Sequence, residues 1–420
     1  MNAHWSDYSH FAALDWASDH HDVAVVDRNG QLVLEFRFDH SAAGWAEFVE
    51  RMQPFAGAPL ALETSSGPAV DQLLQRHWAL YPVNPKAAER YRERKAPSGT
   101  KTDRHDAWSL ADALRTDGHA WRPLLAQDEA TATLRALCRD EMTLIEQRTT
   151  LVNQLRAALA EYYPAALQAF ADWTCPGAWA FLKRFPTPEA LLKAGPRRWQ
   201  NFLHCHRLWR GDNGVERIAQ FAQANALPAS PALVQAKSLL ALSLASVLTT
   251  LQKQLNEYRA RISRAFRDHP DHDIFGGLPG AAEKLGPRLL GELGANREVF
   301  PDAQSLQCYA GVSPVSQQSG QMNKARIRWA CDTVLRHTVH LWADLSRKKC
   351  AWAQAYYAGK RAQGQNHAAA LRCLGKRWLK ILWRLWMNRM RYDETIHLQS
   401  IEKHGSWVHA QICPSITTAL

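Results

Sequence analysis

The first 120 residues alternate between two hydrophobic periods. Phe11–Leu14 and Val23–Val26 are short apolar runs, and Leu32–Phe38 carries apolar residues at alternate positions, as a strand with one covered face does. Arg28-Asn29-Gly30 falls between the second and third runs, and Asn-Gly between strand-like segments predicts a tight hairpin. Ala42–Met52 has helical spacing behind Ser41, whose hydroxyl suits a helix cap. Pro59–Glu63 predicts a buried strand, Pro68–His77 a helix and Leu80–Val83 a further strand. A polar loop, Ala96–Thr100, leads into a helix from Asp103 to Thr116. A three-strand meander followed by alternating helix and strand is the order of the ribonuclease-H-like α/β fold.

Beyond it the pattern is helical. Asp128–Tyr163 spaces Leu134, Leu137, Met142, Ile145, Leu151, Leu155 and Leu159 for one face, and Leu233–Phe266 is similar. Both fit a long antiparallel, coiled-coil-like arm, although neither keeps a strict heptad. Ala165–Ser230, between them, is a helical insert containing Pro and Trp. From Ile274 a mainly α region follows, in which Leu278-Pro279-Gly280 through Gly286 and Leu289–Leu293 resembles a helix-hairpin-helix, a device that lets backbone approach a phosphate; an ordinary helix-turn-helix pair fits as well. The expected divisions are 1–124 for the α/β domain, 125–272 for the arm with its insert, 273–395 for a basic domain and 396–420 for a tail.

Charge changes the picture by pointing to a partner. The 420 residues carry a formal net charge of +11, which suits a polyanion such as nucleic acid. Gly320–Tyr392 holds 16 Lys and Arg with only Asp332 and Asp344 as acids, so the basic excess is concentrated there. Lys324, Arg326, Arg328, Arg336, Lys376 and Arg377 are its candidate nucleic-acid contacts, with Lys101 and Arg104 near the acids described next. Trp329, Trp342, Trp352, Trp378, Trp383 and Trp386 interleave with this charge; helical spacing assigns most of them to core, and base stacking is the alternative. The eight cysteines are scattered without a CxxC pair, which reads as reduced thiols. No run approaches 18 uninterrupted apolar residues, so a cytoplasmic protein without a membrane partner is expected.

Four acids stand where this fold brings chain segments together. Asp15 ends the first strand and Glu63 the fourth, which are neighbours in a ribonuclease-H-like sheet, while Asp103 and Asp106, three apart, share a helix face. Clustered carboxylates repel unless a divalent cation lies between them, and magnesium prefers such oxygen ligands. Each acid also has a plain role as a strand-end or helix-capping residue. Asp19, Asp22, Asp112 and Asp117 lack that convergence and read as solvated.

Leu14-Asp15, Leu62-Glu63-Thr64-Ser65-Ser66-Gly67 and Lys101-Thr102-Asp103-Arg104-His105-Asp106-Ala107, with Leu278-Pro279-Gly280, Tyr309-Ala310-Gly311-Val312-Ser313-Pro314 and Gln318-Ser319-Gly320 downstream, carry a resemblance. In this order they resemble the DEDD insertion-sequence transposases with a C-terminal catalytic serine, relatives of Piv-type DNA invertases and described as bridge-RNA-guided recombinases. The resemblance covers roughly residues 10–163 and 274–395. It implies magnesium held by Asp15, Glu63, Asp103 and Asp106, and Ser319 as the nucleophile that forms a 5′-phosphoserine link to DNA. It also implies donor and target DNA paired with a noncoding RNA, and a dimer or tetramer with its site assembled between protomers. Two departures stand out: Cys331-Asp332 precedes Leu335-Arg336 where the family commonly has Gly-Asn, and the insert is long. The residues leave two alternatives, a resolvase-like metal nuclease using water and a non-catalytic nucleic-acid scaffold. The intact carboxylates argue against the scaffold, and the basic serine-bearing region argues against the simple nuclease.

Overall fold

A computed structural model describes residues 5–65, 67–95, 103–125, 128–319 and 322–412. Lys101, Gly320 and the last eight residues lie outside these. The chain divides into two compact units, Met1–Gln127 and Asp128–Leu420.

The first unit is a mixed five-stranded sheet in the order β3-β2-β1-β4-β5, built from β1 (His10–Trp16), β2 (His20–Asp27), β3 (Leu32–Asp39), β4 (Leu60–Leu62) and β5 (Leu80–Pro82). The first three pair antiparallel; β4 lies parallel to β1, and β5 parallel to β4. Central strands of such a sheet are covered on both faces, which is why Phe11-Ala12-Ala13-Leu14 reads as a continuous apolar run. On one face Phe36, Phe38, Trp45, Phe48 and Leu73 form the core, the last three from α1 (Ala42–Met52) and α2 (Pro68–Gln75). On the other, α4 (Asp103–Asp117) lays Ala107, Leu110, Ala111 and Leu114 against Phe11, Ala13, Ala24 and Ala61. A helix the sequence pattern did not predict, α3 (Pro85–Lys95), precedes α4 and packs on it.

In the second unit, α5 (Glu129–Tyr162) and α11 (Pro231–Arg267) lie antiparallel, pinned by Glu141 to Arg259, Arg148 to Gln252 and Glu161 to Lys237. Their two ends bury different cores. The insert helices α6 (Pro164–Ala169), α7 (Pro176–Arg184), α8 (Pro188–Ala194), α9 (Pro196–Cys205) and α10 (Asp212–Ala222) pack Trp173, Trp179, Trp199 and Phe221 against Leu155, Leu159, Leu244 and Leu248. The insert is thus a small helical body seated on one end of the pair. By length and composition α11 contains a stretch apolar enough to cross a membrane, which counting only uninterrupted runs missed.

At the other end, Leu134, Cys138, Ile262 and Phe266 join a core with α12 (His272–Gly276), α13 (Ala282–Leu293), α14 (Ala303–Tyr309), α15 (Thr333–Ser346), α16 (Ala351–Ala362) and α17 (His367–Met387). Trp342, Trp352, Trp378 and Trp386 are fully buried there, as helical spacing predicted, whereas Trp329 is 70% exposed. The expected tail instead forms α18 (Glu394–Lys403) and α19 (Trp407–Ile412), because Ile401 and Val408 join this core. The hairpin glycine Gly280, at φ +79°, is turned inward: an added Cβ would meet the backbone N of Ser346 at 2.6 Å. Its close approach is to the last turn of α15.

Candidate active site

The sheet register sets the carboxylates side by side. Leu14 pairs with Leu62 across the parallel strands β1 and β4, so Asp15 and Glu63 follow next on both at their carboxyl-terminal ends. Because α4 runs across β1, β2 and β4, its first turn delivers Asp103 and Asp106 to that edge. The electrostatics record the convergence. The Asp15 carboxyl is pushed up to about 7, first by burial and then by the negative charges of Glu63, Asp106, Asp103 and Asp22.

Neighbouring cations compensate part of this. Arg92, on α3, donates to Asp106 Oδ2 at 3.0 Å. Arg37, on β3, donates to Asp22 at 2.7 Å and to Asp103 Oδ2 at 3.1 Å. Asp106 Oδ1 is buried with no hydrogen-bond partner among the described residues. A buried carboxylate oxygen left so, near Asp15, whose ionisation burial and like charges disfavour, suits a divalent cation. A second grouping, His20, Asp22 and Asp103, brings three ligand atoms within 4.8 Å of one another. Asp22 is already held by Arg37 through both oxygens, so a cation there would compete with a guanidinium.

Two acids expected to be solvated are not. Asp22 and Asp112 are each 2% exposed. Asp22 pairs with Arg37, and Asp112 pairs with Lys95 and Arg115, which hold its carboxyl below the usual range despite burial. Arg37 and Arg92 were the site residues sequence reasoning missed; the basic run Pro85–Lys95 just before the acids was the available signal for Arg92, and Arg37 on β3 had none.

In the second unit Ser319 closes β6 (Val315–Ser319), which pairs antiparallel with β7 (Met322–Arg326). All five β6 residues are exposed. The register Gln317 to Lys324 and Val315 to Arg326 puts Ser319, Lys324 and Arg326 on one face of the ribbon, and Ser316 on the other. Ser313 is 6% exposed and lies before the strand. The remaining candidates disperse. Arg328 donates to the Ser313 carbonyl, Arg336 covers the Trp329 ring at 5.6 Å, and Arg377 lies half-buried over Tyr356 at 5.4 Å. Arg104 is exposed at the start of α4, and Lys376 is half-buried on α17. Asp332, at the departure from Gly-Asn, caps α15 through Leu335 N and pairs with Arg139 at 3.2 Å.

Comparison with known proteins places both regions of the chain in transposase families. Residues 12–164 match a transposase family of the IS110 DEDD type, and residues 272–358 match the family described as Transposase IS116/IS110/IS902. The IS117 mini-circle protein of Streptomyces coelicolor is 34% identical over 400 residues, 91% of this chain and 95% of its own length. The IS116 44.8 kDa protein of Streptomyces clavuligerus is 24% identical over 384 residues, covering 89% and 93%. An IS900 42 kDa protein of Mycobacterium paratuberculosis is 29% identical over 70% of this chain and 73% of its own. With its ribonuclease-H-like DEDD domain and its mostly helical region in that order, the chain belongs to the IS110/IS116/IS902 family of transposases.

Proposed function

We propose that this transposase cleaves and rejoins DNA strands through a covalent serine link, with magnesium as its metal. The observation that carries the reading is the cluster of Asp15, Glu63, Asp103 and Asp106, in which Asp15 is pushed up to about 7 and Asp106 Oδ1 has no protein partner among the described residues. These four residues would hold magnesium, which when bound polarises a phosphate and offsets charge that develops on it. Arg37 and Arg92 orient two of the carboxylates and limit the repulsion among them.

The Ser319 hydroxyl attacks a DNA phosphorus. The Ser–O–P bond forms as the P–O3′ bond breaks, the hydroxyl proton is lost and the released 3′-oxygen gains one. Attack of a 3′-hydroxyl on the phosphoserine then rejoins the strands and restores Ser319, so no external energy source is needed. Lys324 and Arg326, on the same ribbon face, contact phosphates beside the one attacked. An exposed two-stranded ribbon is the kind of element a DNA major groove admits. Donor and target DNA are chosen by pairing with a noncoding RNA, and the working form is a dimer or tetramer; both rest on the family resemblance. The test is strand cleavage and exchange in vitro with Asp15→Asn, Asp106→Asn and Ser319→Ala: each should abolish exchange, wild-type activity in either Asp variant would refute the metal assignment, and exchange by Ser319→Ala would refute the serine link.

A further inference from the structure

The second unit contains a cavity of about 300 Å3 that the reaction above leaves unused. Its floor is apolar, made by Val312, Val339 and Leu371, all buried. Arg336 and Arg372 line it as well, with no acidic residue among the described residues of its walls. One wall is Trp329, which stays 70% exposed while Trp342, Trp352, Trp378 and Trp386 of the same unit are buried. The Arg336 guanidinium covers one side of that indole at 5.6 Å, which leaves the ring open elsewhere.

An apolar floor, an open aromatic wall and a cationic rim match the parts of a nucleotide: a flat base with polar edges and an anionic phosphate. The volume lies at the small end of ligand sites, about 300–1,000 Å3, and suits one nucleotide better than a length of duplex. We infer that this cavity takes a single unstacked nucleotide of a nucleic-acid strand, its base on Trp329 and its phosphate on Arg336 and Arg372. This rests on the reading of the chain as a nucleic-acid-handling transposase, and adds that one nucleotide leaves the stack at a place other than the carboxylate cluster. His340, on the cavity wall, is held below the ordinary histidine range by burial and by the charges of His367, Arg372 and His337. A neutral imidazole both donates and accepts, as recognition of a base edge requires.

The test compares DNA duplexes that differ only by one unpaired 2-aminopurine, together with single-stranded DNA and RNA carrying the same base. Wild-type protein should bind the bulged duplex more tightly than the fully paired one and quench the 2-aminopurine. Trp329→Ala should weaken binding of the bulged or single-stranded form roughly ten-fold, since base–aromatic stacks are sequence-tolerant and of that order. It should also restore the fluorescence, while Trp329→Phe keeps most of both effects. Affinity for the paired duplex, its salt dependence and the thermal midpoint should stay at wild-type values, because Trp329 is exposed. The larger loss, with DNA or with RNA, identifies the strand that supplies the nucleotide. Unchanged affinity for the bulge in Trp329→Ala, or equal loss on bulged and paired duplex, would overturn this inference alone. Absence of salt-dependent duplex binding by the wild type would overturn the nucleic-acid reading beneath it as well.

Discussion

Arg92 donates to one oxygen of Asp106 at 3.0 Å, and the other oxygen of Asp106 is buried without a hydrogen-bond partner among the described residues. Leaving a buried acceptor unmet typically costs about 1–3 kcal/mol. A protein tolerates that cost where a ligand normally meets the group. Magnesium should therefore raise the thermal midpoint of the wild-type protein, and should raise it less or not at all in Asp106→Asn and Asp15→Asn. An equal increase in these variants would place the metal elsewhere, with the His20, Asp22 and Asp103 grouping the first place to look.

The pH dependence of the metal-free protein follows from Asp15. Its folded-state carboxyl is raised from 3.8 to about 7, so ionisation is harder in the folded than in the unfolded chain. The associated stability is fully present below about pH 4 and is lost as pH rises to 7. Asp15→Asn removes this loss. The difference in thermal midpoint between variant and wild type, measured in chelator, should grow from pH 5 to pH 8; a constant difference would contradict the assignment.

Salt dependence tests the ribbon. Each phosphate neutralised adds about one unit to the log–log slope of DNA affinity against salt. Lys324→Ala with Arg326→Ala should lower the slope by about two, with the loss similar on unrelated sequences. A slope unchanged by the double substitution would remove these residues from the interface.

A structural ion network offers a control. Glu292, 3% exposed on α13, accepts from Arg139 at 2.8 Å through both oxygens and from Arg135 at 3.2 Å, both on α5. Removing one partner of a buried pair typically costs about 3–5 kcal/mol. Glu292→Ala should lower stability to denaturant by that order while leaving the Asp15 pH effect in place. A change under about 1 kcal/mol would show that the network is not what holds α5 to α13.

The sheet and the placement of the acids were legible because each depends on local pattern. Ser41 caps α1 through Gly44 N at 3.1 Å as its sequence position predicts, and strand order alone makes Asp15 and Glu63 neighbours. The helix α3 was not legible: in Pro85–Lys95 only Ala88 is buried, so no apolar stripe marks it. The ribbon escaped for the same reason, since Val-Ser-Gln-Gln-Ser has every residue exposed and shows no alternation. Arg37 and Arg92 reach the acids across elements 66 and 14 residues away, contacts that only the folded chain defines. The inward turn of Gly280 and the burial of Asp22 and Asp112 likewise depend on tertiary partners.

The measurement that bears most directly on the account is the identity of the amino acid joined to DNA. Reactions stopped before rejoining, digested and analysed by mass spectrometry should yield a peptide with a 5′-phosphoserine at Ser319, and Ser319→Ala should give neither adduct nor strand exchange. Ser316 faces the other side of the ribbon and Ser313 is buried before it, so neither should be modified. An adduct on either of them, or strand exchange by Ser319→Ala, would contradict the account.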